Sequence, residues 1–440
     1  MRQQSAPASS RLPRSPRVRS GALAIGLLVT LAACGNGSTA PSSTTAPATT
    51  APASTSASPT PTTASASRTS PGTQVPPPPS TARPTTKPPA AGCVDRTVAA
   101  MTTAQRVGQL FMSGVSATGV TATDSKALTT GKIGSAFLKG HSNGGTAAVK
   151  SVTDRVRSLG PAVHGVKLGM FVATDQEGGQ VQVLNGPGFS VIPSAVTQGR
   201  WSPATLQGNA ATWGRQLRSA GLNMNLAPVA DTVPPDLLGV NAPIAGFDRE
   251  YGTDPATVAS HSTAFLRGMR QAGIDPAIKH FPGLGRVRGN TDTTADVVDG
   301  VTTTTDPFLQ PFRSGIQAGT PFVMVSSAIY ARIDPKNQAA FSSAVIHGLL
   351  RDSLGFKGVV MSDDLGQAAA VADRSPGRRA VDFFTAGGNL LLTVVPADVA
   401  PMTSAVLAAL PHDAALRAAV DDSLRRVLNA KRNAGLLSCG

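Results

Sequence analysis

Between Cys93 and Cys439 of this 440-residue chain, eight short apolar or β-branched runs alternate with Ala-rich segments of helical length, and that alternation constrains the fold more than any other feature. The runs are GQLFMSGV from 108, IGSAFLKG from 133, LGMFVATDQEG from 168, LNMNLAPVAD from 222, IDPAIKHFPG from 274, FVMVSSAIY from 322, GVVMSDDL from 358 and NLLLTVVP from 389. A strand followed each time by a helix-length crossover calls for a parallel sheet with helices packed on it. Eight such units fit an α/β fold of the (β/α)8, TIM-barrel type with long loops. An open, doubly wound sheet has the same local pattern and is the other architecture allowed. After the eighth run, HDAALRAAVDDSLRRVLNAKRNAGLL from 412 reads as one or two amphipathic helices that end the barrel, and no second folded domain is recognisable.

The polar residues fall at one end of these runs. Asp175, Glu177, Asp231, Lys279, His280, Asp363 and Asp364 all sit at or just beyond the C-terminal ends, the rim on which barrels build sites from their βα loops. The apolar starts of the same runs are accounted for by a core alone. Lys279 and His280 close an otherwise apolar strand, where burial without a partner is costly, so they require a ligand or a polar network.

The first 92 residues cannot join that core. Arg2, Arg11, Arg14, Arg17 and Arg19 precede an apolar run, Gly21 to Ala33, that is too short to span a bilayer and reads as a signal-peptide core over residues 1–33. The run ends Leu31-Ala32-Ala33-Cys34, which resembles a bacterial lipobox. That resemblance implies cleavage before Cys34, acylation of Cys34 and a membrane-anchored, extracytoplasmic lipoprotein; an ordinary secreted protein cut nearby is the alternative. Residues 34–92 are rich in Ser, Thr, Pro and Ala, with Arg68, Arg83 and Lys87 as their only charges, and bury too little to offset the entropy of ordering. They read as a disordered tether to a single domain at 93–440. With Cys34 acylated, Cys93 and Cys439 remain, and in an oxidising compartment they are expected to pair and join the two ends of the domain.

The formal charge of +14 shrinks on inspection. Eight of the positive charges lie in the signal and tether with no acid beside them, which leaves about +6 for the domain. With two Trp, two Tyr and no basic cluster interleaved with aromatics, nucleic acid is not an expected partner. The six histidines show no metal-ligand spacing, and GLGRVRG at 283–289 makes a poor phosphate loop because Lys-His-Phe-Pro precedes it. No metal and no cofactor are expected, and the chain is expected to be a monomer.

The stretch AIKHFPGLGRVRGNTDTT, 277–294, resembles the signature of family 3 glycoside hydrolases, specifically their single-domain β-N-acetylglucosaminidases. The likeness extends over about 95–435. Cleaving a glycosidic bond takes one group to attack or stabilise the sugar carbon and another to protonate the departing oxygen, both usually carboxyls. By resemblance the nucleophile is Asp363, in GFKGVVMSDDLG at 355–366, with Asp364 fixing the loop; helix capping is the competing role for either. Lys279 and His280 are implied to bind hydroxyls of the sugar next to the cleaved bond. ATDQEGGQV, 173–181, gives Asp175 the same kind of role, and AGFDREYGTDP, 245–255, nominates Arg249, for which a surface ion pair with Asp248 is the bland alternative. Asp231 either orients such residues or caps. Where the family usually carries Arg, this chain has Gln180 and Val183.

The likeness breaks at the proton donor. Family members follow Lys-His-Phe-Pro-Gly with His-Gly and, five residues later, Asp-Ser-His, whose last His donates the proton and whose Asp orients it. Here the same register gives Leu284-Gly285 and then Asn290-Thr291-Asp292, and no histidine lies between His280 and His347. Three outcomes are open. Asp292 takes the donor's place as a carboxylic acid/base, with burial raising its pKa; Asp296 or Asp299 does so instead; or the chain is a lipid-anchored carbohydrate-binding protein with little turnover. A carboxylate donor would repel phosphate, which favours water as the acceptor. Gly283, Gly285 and Gly289 are expected to let the loop open and close. The implied activity is retaining, exo-acting removal of terminal β-linked N-acetylglucosamine, with cell-wall peptidoglycan fragments as the expected source; a β-glucosidase of the same family is the nearby alternative.

Overall fold

All eight runs form strands of one parallel sheet: β1 Phe111–Ser116, β2 Ser135–Lys139, β3 Phe171–Thr174, β4 Met224–Asn225, β5 Asp275–Phe281, β6 Phe322–Val325, β7 Val359–Asp364 and β8 Leu390–Thr393. The structure, a computed structural model, describes residues 92–439 except 165, all within one unit, Thr85–Gly440. The signal segment, Cys34 and the tether lie outside the described residues. The sheet order is β3-β2-β1-β8-β7-β6-β5-β4, so the first strand pairs with the last. The two ends of that order also meet: the Asn223 and Leu226 N–H groups donate to Val172 O at 3.2 Å and Thr174 O at 2.9 Å, on either side of β4 and along β3. The sheet closes, which excludes the doubly wound alternative and makes the fold a (β/α)8 barrel.

A helix follows each strand: Ala122–Thr130, Gly145–Ser158, Pro203–Ser219, Pro255–Gln271, Gln310–Gln317, Ala344–Ser353, Pro376–Thr385 and Val399–Ala409. Their starts are legible in the chain. Ser202, Asp254 and Ser375 each accept a backbone N–H three residues on, and each precedes a proline at the first helical position, where the missing N–H costs nothing. Three helix ends are tied to the next repeat. Arg157 donates to Gly221 O, Arg218 to Gly273 O at 3.2 Å, and Arg270 to Gly319 O at 3.0 Å, each satisfying a carbonyl in the turn that ends the following helix.

The N-terminal end of the barrel is plugged rather than open. Phe171 and Phe322 meet edge to face at 5.2 Å. The closing segment is one helix, Ala414–Asn433, and it sends Lys431 into this base. Its Nζ lies 2.7 Å from Gln109 Oε1, 2.8 Å from Gly134 O and 2.9 Å from Gly169 O. Burial pulls the Lys431 ammonium down to about 7. Beside the base, Leu437–Cys439 pairs antiparallel with Val166–Leu168, and helix Cys93–Ala100 packs against the same segment. Cys93 is disulfide-bonded; the side chain of Cys439, its expected partner, lies outside the described residues.

Candidate active site

At the opposite, C-terminal end the loops enclose a cavity of about 430 Å³. Asp175, Arg249, Lys279, His280, Asp292 and Asp363 all line it, although they come from four βα units scattered along the chain. Sequence separation is no obstacle, because every one leaves the same end of its strand.

Strand β5 supplies the floor. The Lys279–His280 peptide bond is cis, both side chains line the cavity, and they are only 3% and 4% exposed. Lys279 Nζ lies 2.6 Å from Asp175 Oδ1 and 2.6 Å from Glu177 Oε1. Glu177 in turn takes a bidentate pair from Arg249, Nε to Oε2 at 2.9 Å and Nη2 to Oε1 at 2.8 Å, while Arg249 Nη1 donates to Pro243 O at 2.9 Å. Arg249 Nη2 is also 3.3 Å from His280 Nε2. Asp231 lies within 2.7 Å of His280 Nδ1 and accepts backbone N–H bonds from His280 and Leu284. One unbroken polar chain therefore runs Asp231, His280, Arg249, Glu177, Lys279, Asp175. It answers the need for partners that the sequence raised, and Arg249 pairs with Glu177 rather than Asp248.

The electrostatics follow from this chain. Burial pushes the Glu177 carboxyl up, but Arg249 and Lys279 outweigh it and hold the group down at about 2. Burial likewise opposes the Lys279 ammonium, and Asp175 with Glu177 raises it above the ordinary value. Glu177 and Lys279 are thus fixed in their charged forms at neutral pH.

The loop after β5 carries Asp292 to the mouth. Asn290 Oδ1 accepts the Asp292 N–H at 3.0 Å, and the backbone N–H groups of Ala369 and Ala370, beyond β7, donate to Asp292 O at 3.1 Å and Thr291 O at 3.0 Å. Asp292 is exposed toward the mouth, yet its carboxyl is crowded enough that burial raises its pKa, with the Asp363 charge adding to the rise and His280, Arg249 and Lys279 working against it. Asp296 and Asp299 do not line the cavity. Asp299 is buried and occupied with Val301 N, Thr302 N and Thr302 Oγ1, while Asp296 is exposed. The glycines of this loop are not simply hinges: a Cβ on Gly285 would lie 1.8 Å from Thr232 O, so that position is a close approach of two backbones.

Strand β7 delivers Asp363 into the cavity, half-buried. Asp364 has a different task. Its Oδ1 accepts from Gly366 N at 2.9 Å and Val394 N at 2.8 Å, and its Oδ2 from Gln367 N at 2.8 Å, which pins the turn after β7 to the end of β8. Gln180 is exposed and Val183 is buried, and neither lines the cavity. Sequence reasoning placed Glu177 on the rim without a task; its position two residues after Asp175, on the same strand end, was the available signal. It missed Phe247, Thr293 and Gln367, which line the cavity from exposed loop positions where no periodicity marks them. Among the described residues no group of three His, Cys, Asp or Glu side chains is arranged to hold a metal ion.

Comparison with known proteins agrees with this geometry. Residues 102–430 match the model of the glycosyl hydrolase family 3 N-terminal domain. A beta-hexosaminidase of Stenotrophomonas maltophilia is 33% identical over 261 residues, 57% of this chain and 73% of that protein. Among solved structures, a β-N-acetylhexosaminidase from Beutenbergia cavernae superimposes with a TM-score of 0.73 at 48% identity, covering 76% of this chain and 99% of the other. A family 3 β-N-acetylglucosaminidase from a Paenibacillus species gives a TM-score of 0.67 at 27% identity, over 77% of this chain and 63% of that one.

Proposed function

The chain belongs to glycosyl hydrolase family 3, and we propose that it removes terminal β-linked N-acetylglucosamine by a retaining mechanism in which Asp363 attacks and Asp292 supplies the proton. The observation that carries this reading is the pairing of two carboxyls in one cavity with opposed demands: burial and the negative charge of Asp363 favour the protonated form of Asp292. One carboxylate and one carboxylic acid are what the two roles require. In the first step the Asp363 carboxylate bonds to the anomeric carbon as the bond to the leaving oxygen breaks, and Asp292 gives that oxygen its proton. In the second, Asp292, now a carboxylate, takes a proton from water. The water oxygen bonds to the anomeric carbon, and the ester to Asp363 breaks.

Asp175, Lys279, His280 and Arg249 bind the hydroxyls of the terminal sugar, which stays on Asp363 while the rest of the chain leaves. Their mutual ion pairs hold them in place before the sugar arrives, so little ordering remains to be done on binding. The lipobox-like Leu31-Ala32-Ala33-Cys34 supports an N-terminal lipid anchor, and the Ser/Thr/Pro-rich tether supports a domain held outside the cytoplasmic membrane, acting on peptidoglycan fragments. Replacing Cys34→Ser should abolish incorporation of labelled palmitate and release the protein to the medium; continued labelling would remove the anchor.

Release of p-nitrophenol from the β-N-acetylglucosaminide and from the β-glucoside tests the activity. The wild type should prefer the glucosaminide, and Asp363→Ala should lose at least about 10⁴-fold in kcat. A wild type that binds sugar without turning it over would return the chain to a carbohydrate-binding role, and a preference for the glucoside would reassign the substrate.

A further inference from the structure

The cavity is graded in depth. Its floor is formed by the buried Lys279 and His280, whereas Phe247, Asp292, Thr293 and Gln367 line it from exposed positions. A terminal sugar seated on the floor must send the rest of its chain out past these four. Asp292 belongs among them, since a proton donor to the leaving oxygen has to stand on the leaving group's side.

Phe247 has no comparable reason to be there. It is 38% exposed, and a large aromatic gains nothing from water. Its position is nonetheless held firmly. Asn241 anchors its loop by donating to Leu284 O and Val287 O at 2.8 Å each and by accepting from Ile244 N and Ala245 N. Asp248, directly after it, takes a left-handed φ of 55°, a conformation that non-glycine residues adopt mainly where the surroundings demand it. That reversal puts both Phe247 and Arg249 on the cavity side of one short loop. The wider rim agrees. Six large apolar side chains stand exposed among the described residues, Val191, Leu238, Val240, Phe247, Val298 and Val301, and all six lie in the loops after β3, β4 and β5 at this end of the barrel. Of these six, Phe247 alone lines the cavity.

We propose that Phe247 is the platform for the leaving group, and that this group is itself a pyranose: its ring stacks by an apolar C–H face on Phe247, with Thr293 and Gln367 offering polar contacts at its edge. This inference rests on the glycosidase reading above. It goes further in giving specificity for the leaving group to a residue outside the buried network.

Calorimetric binding to Asp363→Ala, which leaves a disaccharide intact, tests the platform apart from turnover. The probes are N-acetylglucosamine and its β-linked disaccharide, each measured with and without Phe247→Ala and with Phe247→Trp. The disaccharide should bind more tightly than the monosaccharide. Phe247→Ala should cut the ratio of the two affinities by about tenfold, and Phe247→Trp should preserve it. Equal binding of the two sugars, a ratio unmoved by Phe247→Ala, or no binding of either sugar overturns the inference. Turnover of p-nitrophenyl substrates by the wild type stands or falls separately, so a failed platform and a failed glycosidase are told apart.

Discussion

Two lysines are buried at opposite ends of this barrel, and their partners differ in kind. Lys431, at the base, matches three ammonium hydrogens to three neutral oxygens, those of Gln109, Gly134 and Gly169, and nothing is left over. Lys279, in the wall of a cavity at the rim, faces two carboxylates, Asp175 in the same wall and Glu177 behind it. The first arrangement closes a hole. The second puts charge on the wall of a cavity. Burial penalises both ammonium ions, and only the carboxylates reverse that penalty, so the Lys279 pKa is raised while that of Lys431 falls to about 7. A buried lysine therefore signals a functional site through anionic partners and a place in a cavity wall, and not through burial itself.

Substituting each lysine by Met should separate the two ends. Lys279→Met removes the link between Asp175 and Glu177 and should lower kcat/KM by about 10²–10³-fold, more than it lowers stability. Lys431→Met should leave kcat/KM within about twofold but reduce the unfolding free energy by about 2 kcal/mol, since three buried acceptors lose their donor. If Lys431→Met proved the more damaging to turnover, the division of labour between rim and base would be wrong. The smallest effect is in pH. For Lys279, with its raised pKa, the stabilisation is complete below 10.5 and is lost as pH rises through the raised value. For Lys431 the sign is opposite: between about 7 and 10.5 the folded state binds fewer protons than the unfolded chain, so stability grows with pH across that window. Relative to Lys431→Met, the wild type should gain on the order of 1 kcal/mol between pH 7 and 8 in chemical unfolding. A flat difference would mean that the three oxygens hold the proton against burial.

The barrel was legible because it depends on repeating patterns. Seven of the eight strands fall inside the eight apolar runs, even β4, which is only two residues long, and β1 runs one residue past its run, to Ser116. Asp175, Lys279, His280 and Asp363 were legible for a related reason: a polar side chain at the C-terminal end of an apolar strand sits on the barrel's open rim, where packing of the core does not call for it, whereas Arg249 and Asp292, farther out in loops, were legible only through the family likeness. What the sequence hid were relationships between repeats. Glu177 stands two positions from Asp175, but its bond to Arg249 spans 72 residues. Lys431, in the last turn of a helix, reads as an ordinary favourable charge at a helix C-terminus until the barrel base is seen beneath it. Asp292 shared a loop with Asp296 and Asp299, and spacing alone ranked them poorly. The hydrogen bonds from Ala369 and Ala370 to the Thr291–Asp292 backbone make the difference, and they come from the loop after β7, two repeats downstream.

The central claim is that a carboxylic acid at 292 does the work for which the family this chain resembles uses histidine. Its most direct test is the kcat/KM of Asp292→Ala on two N-acetylglucosaminides, one with dinitrophenol and one with a sugar as the leaving group. A proton donor matters in proportion to the basicity of the oxygen it protonates. The sugar leaving group should therefore suffer a loss of about 10²–10⁴-fold, while the dinitrophenyl substrate loses far less. Equal losses on both substrates, or none on either, would contradict Asp292 as the acid.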